Sequence, residues 1–156
     1  MYHVTKHYPH SLGLSACFRQ WKAKSHCNQL HGYALAFTFE FRAADLDARN
    51  WVIDYGSMRP LKSWLEDTFD HRLLYSADDP ERDLILDVAR RKVANVLELE
   101  RVGCEAFAKL AFDKARVWLT EIGLSPRVQI TKVTVAEHEG NSASYSDDLG
   151  LSDARA

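Results

Sequence analysis

Two short polar segments of the sequence carry side chains that could move protons. Cys27 lies in a loop close to Lys24 and His26, and nearby cations favour the thiolate form of a cysteine. Asp70 directly precedes His71, and a carboxylate beside an imidazole can fix the tautomer that acid–base catalysis needs. Each pattern also has an ordinary structural explanation, a solvated loop cysteine in the first case and a histidine at a helix end in the second.

Glu137 and a group of histidines are the other candidates for chemistry. Glu137 ends an alternating apolar segment, and a carboxylate at that place could hold the N–H edge of a guanine-like ring by two hydrogen bonds. A surface glutamate at a strand end is the alternative. Histidines also crowd the amino-terminal part of the chain, at His3, His7, His10, His26 and His31. A metal site is one interpretation, but their spacing matches no standard zinc pattern, and solvated or capping roles are favoured for the first three.

Alternation and helical periodicity predict the elements that position these residues. Residues 33–42 alternate between apolar and polar side chains, which predicts a strand. Residues 11–19 are predicted to be its antiparallel partner, with Cys27 in the polar loop 20–30 between them. The remaining predicted elements are a short strand at 51–54, a helix from Asp54 or Ser57 to about Phe69, a short helix at 81–91, a long helix at 104–122, and strands at 128–137 and 143–146.

The order of these elements indicates the fold class. Strands at both ends of the chain with helices between them predict an α+β fold, in which two helices cover one face of an antiparallel sheet. Residues 1–146 are predicted to form a single domain, and residues 147–156 a polar tail. The segment 76–101 is charged and irregular in pattern.

Composition limits the function classes. The chain has 156 residues, 46% of them hydrophobic, and a net charge of −2, which predicts one domain with a sizeable core. Such a charge balance predicts neither a nucleic-acid partner nor an anionic membrane. No membrane-spanning run or secretory signal is predicted. Three cysteines without a CxxC spacing predict free thiols in a reducing cytoplasm.

Three separated groups of segments resemble the 6-pyruvoyltetrahydropterin synthase family, and within it the 6-carboxytetrahydropterin synthases of queuosine and 7-deazaguanine biosynthesis. The resemblance covers about residues 11–75 and 103–146. Residues 14–18 and 27–33 look like the family's Phe-x-Ala-Ala-His and Cys-x-x-Leu-His-Gly-His. Residues 51–55 and 69–74 look like its Val-x-Asp-Phe and Leu-Asp-His-x-x-Leu-Asn. Glu105, residues 133–137 and Tyr145 look like its Pro-Thr-x-Glu and Val-x-Val-x-Glu-Thr.

The resemblance implies a fold, an assembly and a reaction. The implied fold is the tunnelling fold, a four-stranded antiparallel sheet with two helices, whose subunits join edge to edge into β-barrels as trimers or hexamers with shared active sites. The implied substrate is 7,8-dihydroneopterin triphosphate, which loses triphosphate and acetaldehyde to leave 6-carboxytetrahydropterin. Cys27 would abstract a proton, Asp70 with His71 would be the acid–base pair, and Glu137 with Glu105 would bind the pterin.

The sequence departs from the family at the zinc site. The family holds zinc with three histidines, of which only His31 is present, because Phe18 and Tyr33 occupy the other two positions. One histidine cannot hold zinc tightly, so a zinc cofactor is doubtful here, although His26 could approach from the loop. Val102 and Gly103 also replace the family's Pro-Thr, and the 76–101 segment is an insertion longer than usual.

Three hypotheses follow from this mixture of retained and lost residues. The first is a divergent 6-carboxytetrahydropterin synthase with altered or no zinc. The second is an enzyme of the same fold that acts on another pterin or a purine. The third is a non-catalytic pterin-binding or assembly protein. The retention of Cys27, Asp70 and His71 argues against it, because a pure binder needs only Glu137.

Overall fold

The computed structural model describes residues 1–147 of the chain. They form β1 Tyr2–Tyr8, β2 Leu14–Phe18, β3 His31–Ala43, α1 Arg59–Phe69, β4 Arg72–Ser76, α2 Arg82–Arg90, β5 Val96–Leu99, α3 Cys104–Glu121, β6 Val128–His138 and β7 Asn141–Tyr145. The predicted polar tail lies, apart from Asp147, outside the described residues. Among residues 1–147 no helix is long and apolar enough to cross a lipid bilayer.

The sheet contains the predicted antiparallel set in the order β2-β3-β6-β7. The long strand β3 is paired along one edge by two strands in succession, because β1 pairs with residues 37–43 and β2 with residues 31–35. A short turn with Gly13 in the left-handed conformation (φ 80°) separates β1 from β2. The predicted fold class is therefore confirmed, and β1 is an addition to the predicted strands.

Two further strands extend the sheet beyond β2. β4 pairs with β2 in parallel, and β5 pairs with β4 in parallel. The sequence pattern did not predict β4 because Leu73, Leu74 and Tyr75 are all buried, so the strand has no polar face and no alternation. Leu73 and Tyr75 form a small second core with Ile85 of α2, which packs the 76–101 segment against the sheet.

The predicted strand at 51–54 is wrong. This segment forms bends and leads into a 3₁₀ turn, Tyr55–Met58, that precedes α1. The Asp54 carboxylate accepts a hydrogen bond of 2.8 Å from the Gly56 amide, and such a local side-chain contact competes with strand pairing. Val52 and Ile53 are buried in the main core, so these apolar side chains anchor the loop rather than form a strand.

Helices α1 and α3 cover one face of the sheet, as predicted. The aromatic side chains of β3 point to this face, where Phe37 packs 4.8 Å from the ring of Phe69 in α1. Phe41 lies 6.3 Å from the Trp118 ring of α3, and Phe69 also contacts Phe107, which joins the two helices. The apolar face given by the period-two pattern of β3 therefore packs against the apolar faces given by the 3.6-residue pattern of the helices.

Candidate functional site

Cys27 lies in a short 3₁₀ turn within the loop that joins β2 to β3, as the sequence predicted. The Ser25 side chain accepts a hydrogen bond of 3.4 Å from the Cys27 amide. The Cys27 carbonyl accepts a hydrogen bond of 2.8 Å from the amide of Gln20 at the other end of the loop. Cys27 is partly exposed, so its thiol is held on an ordered loop and is accessible to a ligand.

The Tyr33 phenol is influenced by the charges of two of the predicted site residues. Burial raises the pKa of the Tyr33 phenol, and the negative charge of Glu137 raises it further. The acidic groups of Cys27 and Cys104 act on the phenol in the same direction. The charges of the loop thiol and of the β6 carboxylate therefore both act on one half-buried phenol.

Cys104 is a neighbour of Glu137 that sequence reasoning missed. It begins α3 and is buried. Burial, together with the charges of Glu137 and Glu105, raises the pKa of Cys104 to about 12. The thiol is therefore protonated at neutral pH. In the sequence, the only feature that pointed to Cys104 as a site residue was its position directly before Glu105.

Glu105 lies in the first turn of α3, beside a cavity of about 530 Å³. Tyr145 of β7 lines the same cavity, as do residues 99–102 at the end of the 76–101 segment. Gly103 adopts a φ of 113°, and a Cβ there would lie 2.1 Å from the Gln20 amide nitrogen. A glycine is needed at this position because the Gln20 side chain also donates to the Val102 carbonyl at 2.8 Å.

Phe18, His31 and Tyr33 form an aromatic cluster at the positions of the family's zinc ligands. Phe18 pairs with His31 across β2 and β3, with ring centroids 5.2 Å apart. The His31 and Tyr33 rings lie 5.6 Å apart, and Phe18 packs edge-on against Phe107 at 5.2 Å. Phe18 is almost completely buried, so it fills the space that a ligand and its metal would need.

The donor set at these positions does not fit the family's zinc site. His31 Nδ1 is 2.7 Å from the Gln29 carbonyl, which leaves one ring nitrogen for a ligand. No group of three or more His, Cys, Asp or Glu side chains arranged to hold a metal exists within residues 1–147. Other amino-terminal histidines have separate partners, since His7 contacts Thr38 and His10 contacts the Ala34 carbonyl.

Asp70 and His71 form a hydrogen-bonded pair immediately after α1. Asp70 Oδ1 lies 2.8 Å from His71 Nδ1 and accepts a hydrogen bond of 3.2 Å from the Ser15 amide. Partial burial opposes ionisation of Asp70, but the hydrogen bonds from Ser15 and His71 outweigh it and lower the pKa of the carboxyl. The His71 ring is 85% exposed and available to a molecule that approaches this surface.

The Asp70–His71 pair and Cys27 are held by different parts of the backbone. Asp70 contacts Ser15 near the start of β2, whereas Cys27 is bonded to Gln20, beyond the end of that strand. The two groups therefore have separate supports within one chain.

The architecture and these side chains define a class of protein, a tunnelling-fold protein with a thiol, a carboxylate and a separate acid–imidazole pair. The sequence profile of the 6-pyruvoyl tetrahydropterin synthase family matches residues 10–148. The chain therefore belongs to this family, whose members are named for a synthase activity.

Individual relatives agree with this assignment. A 6-carboxy-5,6,7,8-tetrahydropterin synthase of Aquifex aeolicus is 26% identical over 138 residues, which cover 87% of this chain and 85% of that protein. A protein of the same name from Rickettsia conorii is 36% identical over 56 residues, a local match that covers 35% of this chain and 41% of that protein.

Solved structures share the fold. An uncharacterized protein from Wolinella succinogenes has a TM-score of 0.75 at 18% identity, covering 94% of this chain and 98% of that one. The 6-pyruvoyl tetrahydropterin synthase of Plasmodium vivax has a TM-score of 0.64 at 13% identity, covering 92% of this chain and 96% of that one. At these identities the likeness establishes the tunnelling fold.

Proposed function

We propose that this protein is a 6-carboxytetrahydropterin synthase-like lyase that acts on 7,8-dihydroneopterin triphosphate in queuosine or 7-deazaguanine biosynthesis. The observation that carries this proposal is the pairing of β3 with β6, in which the Tyr33 ring lies 6.2 Å from the ring of His138, the residue after Glu137. Because the Cys27 loop leads into the start of β3, this pairing supports a proton acceptor and a pterin-binding carboxylate at the same end of the sheet. The name and coverage of the Aquifex aeolicus relative support the same activity.

Each site residue has a role in this proposal. Glu137 accepts hydrogen bonds from the N–H edge of the pterin ring, and Glu105, which lines the cavity at the start of α3, also binds the pterin. Cys27, as a thiolate, takes a proton from the carbon side chain of the substrate. Asp70 fixes the tautomer of His71, and His71 exchanges protons with the side-chain oxygens as the bonds break.

The proposed active site is shared between subunits, as the family resemblance implies. In the proposed assembly, a trimer or hexamer in the cytoplasm, the exposed His71 of one protomer meets the Cys27 loop of another. A barrel closed in this way also removes exposed sheet edges.

Zinc has no place in the steps of this proposal, because the three-histidine donor set is absent. In this proposal the Tyr33 hydroxyl, whose pKa is raised by burial and by neighbouring acidic groups, donates a hydrogen bond to a side-chain oxygen of the substrate. Preorganised donors of this kind stabilise charge that develops in a transition state.

The direct test is turnover of 7,8-dihydroneopterin triphosphate by the purified protein, with and without added zinc. Release of triphosphate and acetaldehyde is the expected result, and no release under either condition would contradict the proposal. Cys27→Ala and Glu137→Ala separate binding from catalysis. The first variant is expected to bind pterin without turnover and the second to lose binding. A protein that binds pterin equally well with and without the Cys27 thiol and never turns it over would be a pterin-binding protein.

A further inference from the structure

The 76–101 segment contacts the Cys27 loop region through one buried carboxylate. Asp79 is 4% exposed, and both of its oxygens accept hydrogen bonds from Arg19. The distances are 2.8 Å from Arg19 Nε to Oδ2 and 2.5 Å from Nη2 to Oδ1. Two parallel bonds between a guanidinium and a carboxylate fix the relative orientation of both groups.

Arg19 extends this contact to the residues around the thiol. Its remaining nitrogen, Nη1, donates to the Asn28 carbonyl at 3.3 Å. The next residue in the chain, Gln20, donates its amide to the Cys27 carbonyl at 2.8 Å. One guanidinium group therefore lies between the buried Asp79 and the backbone on the carboxyl side of Cys27.

Asp79 is itself held in place by the sheet. It lies in a turn directly after β4, where its amide donates to the Ser76 carbonyl at 3.0 Å. Its side chain also accepts a hydrogen bond of 2.9 Å from the Glu81 amide at the start of α2. The hydrogen bond from Arg19 keeps the pKa of Asp79 low against the effect of burial, so the pair is charged at neutral pH.

The neighbouring Asp78 makes a different kind of contact. Its carboxylate bonds Lys22 at 2.6 Å and the Trp21 indole at 3.1 Å. Both partners of the Lys22 ion pair are more than half exposed, and exposed ion pairs contribute little to stability. Asp79 is thus the residue through which the 76–101 segment restricts the Cys27 loop.

We propose that Asp79 is a positioning residue for Cys27 that acts through Arg19. The proposal rests on the proposed role of Cys27 as proton acceptor. A buried carboxylate and guanidinium are stable only in good mutual geometry, so the pair allows the loop one arrangement. Displacement of a reacting group by about 1 Å can cost on the order of 100-fold in rate, which makes this restraint important for turnover.

The test compares Asp79→Asn with Asp87→Asn, a matched control on α2. Among residues 1–147, the ion-pair partners of Asp87 are Arg90 and Arg91, at the surface of the same segment. The rate of iodoacetamide alkylation at Cys27 is measured by peptide mass spectrometry, with Cys17 as the internal reference. The expected result for Asp79→Asn is about tenfold faster alkylation of Cys27 relative to Cys17, because the loop opens more often. The control should match the wild type.

Turnover of 7,8-dihydroneopterin triphosphate gives a second readout. Asp79→Asn is expected to lower kcat by about 10- to 100-fold with KM changed by less than about threefold, since Glu137 still holds the ring. Unchanged alkylation of Cys27 and unchanged kcat would overturn the proposal. Equal acceleration at Cys27 and Cys17 would also overturn it, because that result indicates general loosening of the fold.

A second variant tests the proposal if the Asp79→Asn protein fails to fold. Arg19→Lys keeps a positive charge opposite Asp79, but its single ammonium nitrogen cannot reproduce the two parallel bonds to the Asp79 carboxylate together with the bond to Asn28 that three separate nitrogens of Arg19 make. It should accelerate alkylation of Cys27 in the same direction, and an unaltered rate would overturn the proposal. Alkylation needs no pterin, so this result stands even if the protein turns over a different substrate.

Discussion

Asp70 Oδ1 and His71 Nδ1 lie 2.8 Å apart, although the two residues are adjacent in the chain and their side chains would ordinarily diverge. His71 reaches this position with a φ of 53°, in the left-handed region. Such a conformation costs a non-glycine residue of order 1 kcal/mol or more and persists where the surroundings enforce it. Here the Ser15 amide donates to the same oxygen, Asp70 Oδ1, and holds the carboxylate in place.

The first prediction concerns this pair. Asp70→Asn keeps the shape of the side chain but removes the charge that stabilises a protonated His71. We expect kcat for triphosphate release to fall by on the order of 100-fold or more. Lys62→Gln, an exposed change on α1, is the control and should leave kcat unaltered. Wild-type activity in Asp70→Asn would show that the pair has no acid–base role.

The second prediction concerns the distance between Cys27 and His71. Cys27→Ala and His71→Ala should each be inactive alone, and activity should return when the two are mixed during refolding. Hybrid oligomers then contain sites with an intact thiol from one chain and an intact imidazole from another. Mixing Cys27→Ala with Glu137→Ala is the control. It should restore nothing because these two residues lie in the same part of one protomer.

The third prediction concerns zinc. Wild-type protein grown with zinc should contain much less than one zinc per chain by elemental analysis. Phe18→His combined with Tyr33→His recreates three histidines with His31, and should bind about one zinc per chain. The same change should cost about 1–3 kcal/mol of stability, because Phe18 packs against Phe107 in the core. One tightly held zinc in the wild type would contradict this expectation.

The fourth prediction concerns the Tyr33 hydroxyl. Tyr33→Phe keeps the ring contacts with His31 and Phe18 and removes only the donor. We expect kcat to fall on the order of 100-fold while the melting temperature stays close to wild type. Tyr75→Phe is the matched control, because the Tyr75 hydroxyl bonds Glu98 in the second core. If both variants retained full activity, the hydroxyl would have no role in the reaction.

The fifth prediction concerns the pH dependence of stability. The Cys104 thiol has a pKa raised from an ordinary value of 9.0 to about 12. The native state therefore keeps a proton that the unfolded chain releases above about 9, so this stabilisation is complete below pH 9 and is lost as the pH rises toward 12. Urea unfolding across this range, in reductant, should show a smaller alkaline loss of stability for Cys104→Ala than for wild type. An equal loss would contradict the assignment.

Local patterns predicted the elements that pack on a core from one side. The alternation of β3 and the periodicity of α1 and α3 each arise because one face is buried. The strand β1 was missed for a different reason. Its burial alternates, with Val4, Lys6 and Tyr8 on the more covered face, but Lys6 interrupts the apolar residues of that face. The segment is a strand because it pairs with β3.

The sequence by itself determined the chemical groups of this protein. A loop thiol, an Asp70–His71 pair, the carboxylate of Glu137 and the loss of two zinc ligands are all visible in the order of residue types. Each depends on neighbours a few positions away, and such neighbours fix local structure.

Only the tertiary structure decided which of these groups meet. It joined Arg19 to Asp79 across 60 positions, brought Tyr33 next to His138 through the pairing of β3 with β6, and bonded Asp70 to Ser15 of β2. These relationships depend on strand register and on which strands are neighbours in the sheet. Register is set by burial of whole faces rather than by any single residue, so no short stretch of sequence contains it.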